Sequence, residues 1–566
     1  MTTRRHLPGA PRAGRVLAWR TGWVLAAVVP LAFLGLFFAW PVAALVARGF
    51  VADGALDLGG FADVFSDPRT WRIIGTTLGQ AVVGTVASVL LGIPGAYVLY
   101  RCDFPGRALV RGLVTVPFVL PTVVVGVAFR ALLATSGPLG FLGLDQTFTA
   151  IVLALVFFNY TVVVRTVGGL WERLDPRAEQ AARSLGASPA RAFRTVTLPA
   201  LTPAIASAAS IVFLFCATAF GIVLVLGPLG YGTVETEIYV QTTQFLDLRT
   251  ASVLSVVQLV VVAAALLVAN RARSRRERAL HLTSGTSARS LDLRTDAAPL
   301  AVTAAVVLGL LALPLGTLLV RSFEVPDGWG LDNYRNLGTT GGANALSVTV
   351  WEAAANSLRT AALATLFAVA VGGLVALVVS RRPRARAGRR ALAVLDSVFM
   401  LPLGVSAVTV GFGFLITLDK PLGLDVDLRT SGLLVPIAQA VVAVPLVVRV
   451  LLPVLRAIDP RLREAAATLG ASPGRVLRTV DLPVAAPPLG LAIGFAFATS
   501  LGEFGATSFL ARPDTATLPV VIYRLIGKPG AENYGMALAA SVVLALLTAT
   551  VMLLAERLRG DRTGEF

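Results

Sequence analysis

A stretch of 25 residues occurs twice in this chain. DPRAEQAARSLGASPARAFRTVTLP, residues 175–199, returns as DPRLREAAATLGASPGRVLRTVDLP, residues 459–483, with 16 of 25 positions identical and a constant offset of 284 residues. In a chain of 566 residues that offset is close to half the length, so the chain reads as a duplication whose halves have diverged elsewhere. The same offset pairs Pro203 with Pro487, Phe213 with Phe497, Phe220-Gly221 with Phe504-Gly505, Thr233 with Thr517 and Ile238-Tyr239 with Ile522-Tyr523. Pro121 pairs with Pro402 at a slightly shorter spacing.

The repeated stretch has a local shape. Gln180 to Leu185 contains Ala181 and Ala182 and no glycine, which favours a helix. Gly186 suits a left-handed residue ending that helix. Ser188-Pro189 then reads as the cap and first-turn proline of a second helix, and Leu198-Pro199 opens an apolar run. The second copy repeats each step through Glu464, Ala465, Ala466, Gly470, Ser472-Pro473 and Leu482-Pro483. Each copy carries four arginines, Arg177, Arg183, Arg191 and Arg194 in the first and Arg461, Arg463, Arg475 and Arg478 in the second.

The rest of the chain is too apolar to be soluble. Hydrophobic residues make up 56% and charged residues 14%, against about 45–50% and about 25% in ordinary globular domains. Runs of about twenty apolar residues mark membrane helices. Twelve are expected, near 23–47, 73–100, 109–134, 148–168, 200–226 and 249–269, then near 298–320, 356–380, 391–417, 433–452, 484–510 and 536–556. The first is long for a secretory signal and lacks a small-residue cleavage site, so it counts as a span. The fold class expected is an all-α polytopic membrane protein of two parallel six-helix repeats. Its parts are residues 1–270, a basic linker 271–297 and residues 298–566.

Arginine sets the orientation. Arg4, Arg5, Arg12, Arg15 and Arg20 put the N-terminus in the cytoplasm. Twelve crossings then bring every other dense cluster to the same side: Arg101–Arg107, both repeated loops, RARSRRER in the linker, RRPRARAGRR at 381–390, and the tail with Arg557, Arg559 and Arg562. Asp53, Asp57, Asp63, Glu235, Glu237, Asp327 and Asp332 fall in outer loops. Both termini are therefore expected in the cytoplasm. The net charge of +17 belongs to this pattern and not to a nucleic-acid partner.

Catalytic chemistry is missing. Lys420 and Lys528 are the only lysines and each precedes proline, so no phosphate-cradling Gly-Lys-Ser/Thr loop exists. His6 and His281 are isolated, and Cys102 and Cys216 imply no disulfide framework. No catalytic residue, metal ligand or bound cofactor is expected. Polar groups in the spans are the remaining candidates, because they are costly in lipid. Glu503 suits a pathway or gate, or an interfacial carboxylate. Asn159 and Tyr160 suit a pathway or an interhelical hydrogen bond. Arg130 suits a snorkelling side chain, and Asn356 a helix cap. Pro117, Pro121, Pro402 and Pro445 suit kinks.

The repeated stretch is similar to the cytoplasmic EAA loop of ABC importer permeases: Glu-Ala-Ala, three residues, Gly, nine residues, an aliphatic, one residue, Leu-Pro. The second copy matches through Glu464, Ala465, Ala466, Gly470, Val480, Leu482 and Pro483; the first has Gln180 in place of the glutamate, with Glu179 before it. The chain resembles two permease subunits of the type I importer fold fused in one polypeptide. That resemblance implies a bacterial inner-membrane protein serving two copies of a cytoplasmic ATPase, which hold the ATP, and an extracytoplasmic substrate-binding protein. Each loop, with Pro189 or Pro473 opening its second helix, would rest on one ATPase. Fused chains of this kind resemble ferric iron and thiamine permeases, a likeness that SLGEFGATSFLARPDTATLPVVIYRLIG also carries. Ferric iron is the expected substrate and thiamine the alternative. A proton-coupled secondary transporter is the alternative from another class.

Overall fold

The computed structural model describes residues 25–52, 55–228, 230–274, 289–381 and 386–558. The N-terminal arginines, Asp53, both histidines, Arg559, Arg562, and much of the linker and of the 381–390 cluster lie outside these residues.

The duplication is visible element by element. The first half contains α1 (Leu25–Phe50), α2 (Pro68–Arg101), α3 (Arg107–Val119), α4 (Thr122–Leu133), α5 (Phe148–Trp171), α6 (Arg177–Ser184), α7 (Pro189–Ala217), α8 (Val234–Thr243) and α9 (Leu248–Ser274). The second half repeats them as α10 (Ala297–Arg321), α11 (Val350–Val379), α12 (Arg386–Met400), α13 (Ala407–Thr417), α14 (Leu434–Ala457), α15 (Pro460–Thr468), α16 (Pro473–Leu501), α17 (Leu518–Ile526) and α18 (Ala531–Leu558).

Ten helices among the described residues are long and apolar enough to cross a bilayer, fewer than the twelve spans expected. The two departures are the third and ninth runs. Residues 109–134 are two helices, α3 and α4, bent by 107°. Pro121 lies at the break, where it removes a donor and bars helical backbone at Leu120. Residues 391–417 are likewise divided, with a tight turn Leu401–Gly404 around Pro402 between α12 and α13. Pro445, by contrast, sits inside an unbroken α14. The bent pair still connects two levels of the bundle. Arg111 of α3 donates to Glu172 at the end of α5 (3.3 Å), and Arg321 at the end of α10 donates to the Ala131 carbonyl of α4 (2.8 Å).

Two further expectations change. Glu235 and Glu237 are not in an outer loop; both are buried in α8, a ten-residue helix too short to span. Asn356 is not a cap, because α11 begins earlier, where Thr349 and Glu352 form a reciprocal capping box. Asn356 donates instead to the Ala516 and Asp514 carbonyls.

The first helix of each half packs on the other half. α1 lies between α9 and α13, and Leu34 and Phe38 belong to the second half's core. α10 lies between α18 and α4 and also packs on α2; Val306, Val307 and Leu311 belong to the first half's core. A third core joins both halves at the centre, around Phe220, Phe412 and Phe504.

Candidate functional site

The two repeated loops fold alike. Gly186 and Gly470 have φ of +88° and +82°, the left-handed conformation that a side chain resists. Their neighbours close the same turns: Ala187 N–H donates to Ala182 (3.1 Å) and Ala471 N–H to Ala466 (3.0 Å). Ser188 and Ser472 each accept from the N–H three residues on, at 3.4 Å, with Pro189 and Pro473 in the first turn. Leu198-Pro199 and Leu482-Pro483 continue into the long part of α7 and α16. Beside each turn a leucine stands out in solvent, Leu185 89% and Leu469 88% exposed.

The loops differ in how they hold to their own half. Glu179 is turned back to accept from Thr197 Oγ1 (3.0 Å), leaving Gln180 exposed with Ala181 beside it. In the second loop Arg463 holds the equivalent of Glu179, and it donates to Asp481 (2.7 Å), which also accepts from Arg381 (2.7 Å). Glu464 is exposed beside Ala465 and Ala466, on the wall of a cavity of ≈ 1110 Å³ between α12 and this loop. A second pair shows the same reversal. Arg111 of α3 faces Glu172, whereas Asp396 of α12 faces Arg456 (3.0 Å).

Of the expected pathway residues, only Glu503 lies beside the other half, through its neighbours Gly502, which packs near Pro121, and Phe504, which stacks on Phe220. Glu503 lies in the break after α16 and accepts from the N–H groups of Ala506 (2.7 Å) and Thr507 (3.0 Å) and from the Thr507 hydroxyl. Asn159 lies inside the first half, donating to the Leu155 carbonyl (2.8 Å) and to Cys216 Sγ on α7 (3.4 Å). Tyr160 is buried in the same half's core.

Glu235, an outer-loop residue by its charge alone, is a further candidate. It is fully buried and accepts from Ser406 of the other half (2.8 Å) and from Gln258 of α9 (3.0 Å). The signal was its place two residues after Thr233, a position that the repeat pairs with Thr517 at the start of α17. All five buried charged side chains among the described residues are acidic: Glu235, Glu237, Asp296, Asp481 and Glu503. Glu237, Asp296 and Asp481 have arginine partners; Glu235 and Glu503 have neutral ones. Among the described residues no group of three or more His, Cys, Asp or Glu side chains could hold a metal ion.

Residues 84–278 and 368–561, more than half the chain, match the family described as "binding-protein-dependent transport system inner membrane component". The thiamine transport system permease protein ThiP of Escherichia coli (strain K12) is 28% identical over 506 residues, covering 86% of this chain and 90% of its own. That of Brucella abortus is also 28% identical, with 92% and 93% covered. The sulfate transport system permease protein CysT of Salmonella typhimurium is 32% identical over 255 residues, 44% of this chain and 89% of its own. A solved bacterial ABC transporter that imports alginate aligns with 46% of this chain at 18% identity and a TM-score of 0.40.

Proposed function

We propose, since the chain belongs to the family of binding-protein-dependent transport system inner membrane components, that this ABC importer permease carries thiamine or a closely similar organic cation. The observation that carries the substrate reading is the sign of the buried charge. Three of the five buried acids among the described residues are paired with arginine and Glu503 is held within its own turn; Glu235, enclosed by neutral donors from both halves, is left to suit a cation and oppose an oxyanion such as sulfate. The relatives that span both halves, named as thiamine permeases, support the same choice. They replace the expectation of ferric iron, which no relative reported above carries in its name.

The two repeated loops are read as the contacts for two copies of a cytoplasmic ATPase, which puts both chain ends in the cytoplasm. Exposed Leu185 and Leu469 beside rigid left-handed turns suit insertion into a partner groove. The carboxylate of Glu464 suits a basic group there. An extracytoplasmic binding protein would deliver the cargo to the opposite side. The chain itself would hold no nucleotide.

The test is reconstitution in liposomes with the ATPase and binding protein, measuring accumulation of radiolabelled thiamine. Uptake is expected to require ATP and all three components, with no hydrolysis by the purified chain alone. Uptake that persists without the ATPase and collapses with the proton gradient would establish a secondary transporter instead. Accumulation of a different solute, with none of thiamine, would overturn the substrate.

A further inference from the structure

Phe220 and Phe504 occupy equivalent positions of the duplication, and their rings stack on each other with centroids 5.4 Å apart and planes 22° from parallel. Under two-fold symmetry a residue meets its own counterpart only at the axis. The stack therefore marks where the axis relating the halves passes through the buried core. Both rings sit at breaks, just after α7 ends at Ala217 and α16 at Leu501, and each is followed by glycine. A ring placed at a break can shift by a change in a few backbone angles, with no helical turn to unwind.

Tyrosines extend the stack on both sides. Tyr239 meets Phe220 edge-on at 5.4 Å, and its counterpart Tyr523 meets Phe504 at 5.4 Å. Tyr523 also lines a cavity of ≈ 550 Å³, together with Asn344, Ser347, Arg524 and Lys528. The aromatic series thus leads from that cavity to the axis, and Arg524 is half-exposed at the cavity end.

Glu235 stands one helical turn before Tyr239 on α8, so both project from the same side of that helix. Its carboxylate is enclosed by both halves through Ser406 and Gln258. Ser406 adjoins Ala407, on which Gly505 packs so closely that a Cβ there would lie 3.0 Å away. Glu235 therefore lies next to the segment that carries Phe504. A buried carboxyl facing neutral donors alone either holds a proton or needs a cation to complete its charged form. Glu503 also faces neutral donors, but they are the N–H groups and hydroxyl of its own turn, Ala506 and Thr507, whereas Glu235 is held from both halves.

Resting on the reading of the chain as a permease for an organic cation, we propose that the Phe220–Phe504 stack is the gate through which a flat heteroaromatic cation passes, lying between the two rings with Glu235 as counter-charge. The faces of aromatic rings carry negative potential and attract cations. A flat cation entering between the rings exchanges one stacked contact for two. A solute without charge gains less at the stack, and an anion that passes Arg524 and Lys528 at the cavity end meets ring faces and an acid at the axis.

The experiment uses the full chain assembled with its ATPase and binding protein in liposomes, with radiolabelled thiamine as probe. For Phe220→Ala, Phe504→Ala and Glu235→Gln, thiamine imported per ATP hydrolysed is expected to fall about tenfold. The two alanine variants are also expected to let preloaded thiamine leak out without ATP. Phe504→Tyr and Glu235→Asp, which keep the ring and the charge, are expected to retain import within about threefold. Assembly is checked by co-purification of the ATPase, so a variant that fails to fold is recognised, and the conservative variants then decide. Import per ATP equal to wild type in Phe504→Ala and Glu235→Gln would overturn the gate, as would equal loss in the conservative and disruptive variants. If the wild-type complex imports no thiamine, the substrate reading falls and the gate assignment with it; if it imports thiamine and the variants do too, only the gate assignment falls.

Discussion

Arg463 Nε lies 2.7 Å from Asp481 Oδ1, and the positions 284 residues earlier hold Glu179 and Thr197, in contact at 3.0 Å. The duplication has kept the contact and exchanged its chemistry. An acid on the loop helix facing a hydroxyl became a base on the loop helix facing a buried acid. The effect on each loop's outer surface follows from which side chain is turned inward.

Asp481 is 1% exposed and joins two arginines that are 18% and 28% exposed, so its removal leaves both with a lost charge partner. Breaking such a buried pair costs about 3–5 kcal/mol. Thr197 and Glu179 form a single hydrogen bond to a charged acceptor, whose loss costs about 1.5–3 kcal/mol. Asp481→Ala is expected to lower thermal stability and ATPase retention further than Thr197→Ala does. Size-exclusion chromatography of the complex and a melting curve check this, and equal losses would show that the ion pair adds nothing beyond the hydroxyl contact.

Because Glu179 is occupied by Thr197, it cannot stand in for the carboxylate that Gln180 lacks. Glu464→Ala is expected to reduce ATPase retention by about 2–5 kcal/mol in binding free energy if its partner is a buried basic group. Gln180→Ala is expected to cost about 0.5–1.5 kcal/mol, and Gln180→Glu to be tolerated. Retention and uptake measured on the three single variants distinguish these. A severe loss from Gln180→Glu would assign coupling to backbone shape around Gly186 and Gly470.

Most of the loops was legible in the sequence, because their shape depends on local signals: a glycine that must turn left-handed, a serine before a proline, an Ala-rich run. The breaks in the third and ninth runs were only half legible. Pro121 and Pro402 announce a disturbance, but an apolar run reads the same whether it is straight or bent by 107°. The α8 helix was misplaced because Glu235 and Glu237 look like loop residues when charge is the criterion. Their burial depends on Ser406, Gln258 and Arg69, residues far away in the chain. No local pattern tells a helix which half it will pack against, so the exchange of α1 and α10 was not legible at all.

Topology can be tested with single cysteines in a background lacking Cys102 and Cys216. Ala190→Cys and Gly474→Cys are expected to react only from the cytoplasmic side, and Gly330→Cys and Asp425→Cys only from outside. Reaction at 190 and 474 from opposite sides would contradict the parallel repeat. In the unmodified chain both native thiols are buried, and burial raises the Cys102 thiol above its ordinary pKa, so neither is expected to react with maleimide before denaturation.

Asp57, in the segment after α1, accepts from the Gly59 N–H (2.7 Å) and from Arg249, and these hold its carboxyl below the ordinary carboxylate range. The folded form binds this proton less readily than the unfolded one. Its contribution is therefore complete above about pH 4 and is lost as the pH falls through the lowered value. Protease sensitivity of this segment is expected to stay constant from pH 7 to about pH 4 and to rise below it. Asp57→Asn, which cannot titrate, is expected to remove that pH dependence; an unchanged profile would assign it to another group.

The placement of α1 and α10 also sets an order in time. As the chain emerges, α1 enters the bilayer with half of its packing surface uncommitted, because α13 is not made until hundreds of residues later. The first half, in turn, has all its own helices by Ser274 yet stays open at α2 and α4 until α10 arrives and supplies Val306, Val307 and Leu311. The first half is not a finished object at the moment its own last residue is synthesised, and the second is finished only because α1 precedes it. Joining both in one polypeptide makes α10 the next helix after the first half is complete and has α1 already in place for the second, so that no half waits in the membrane for a partner translated elsewhere.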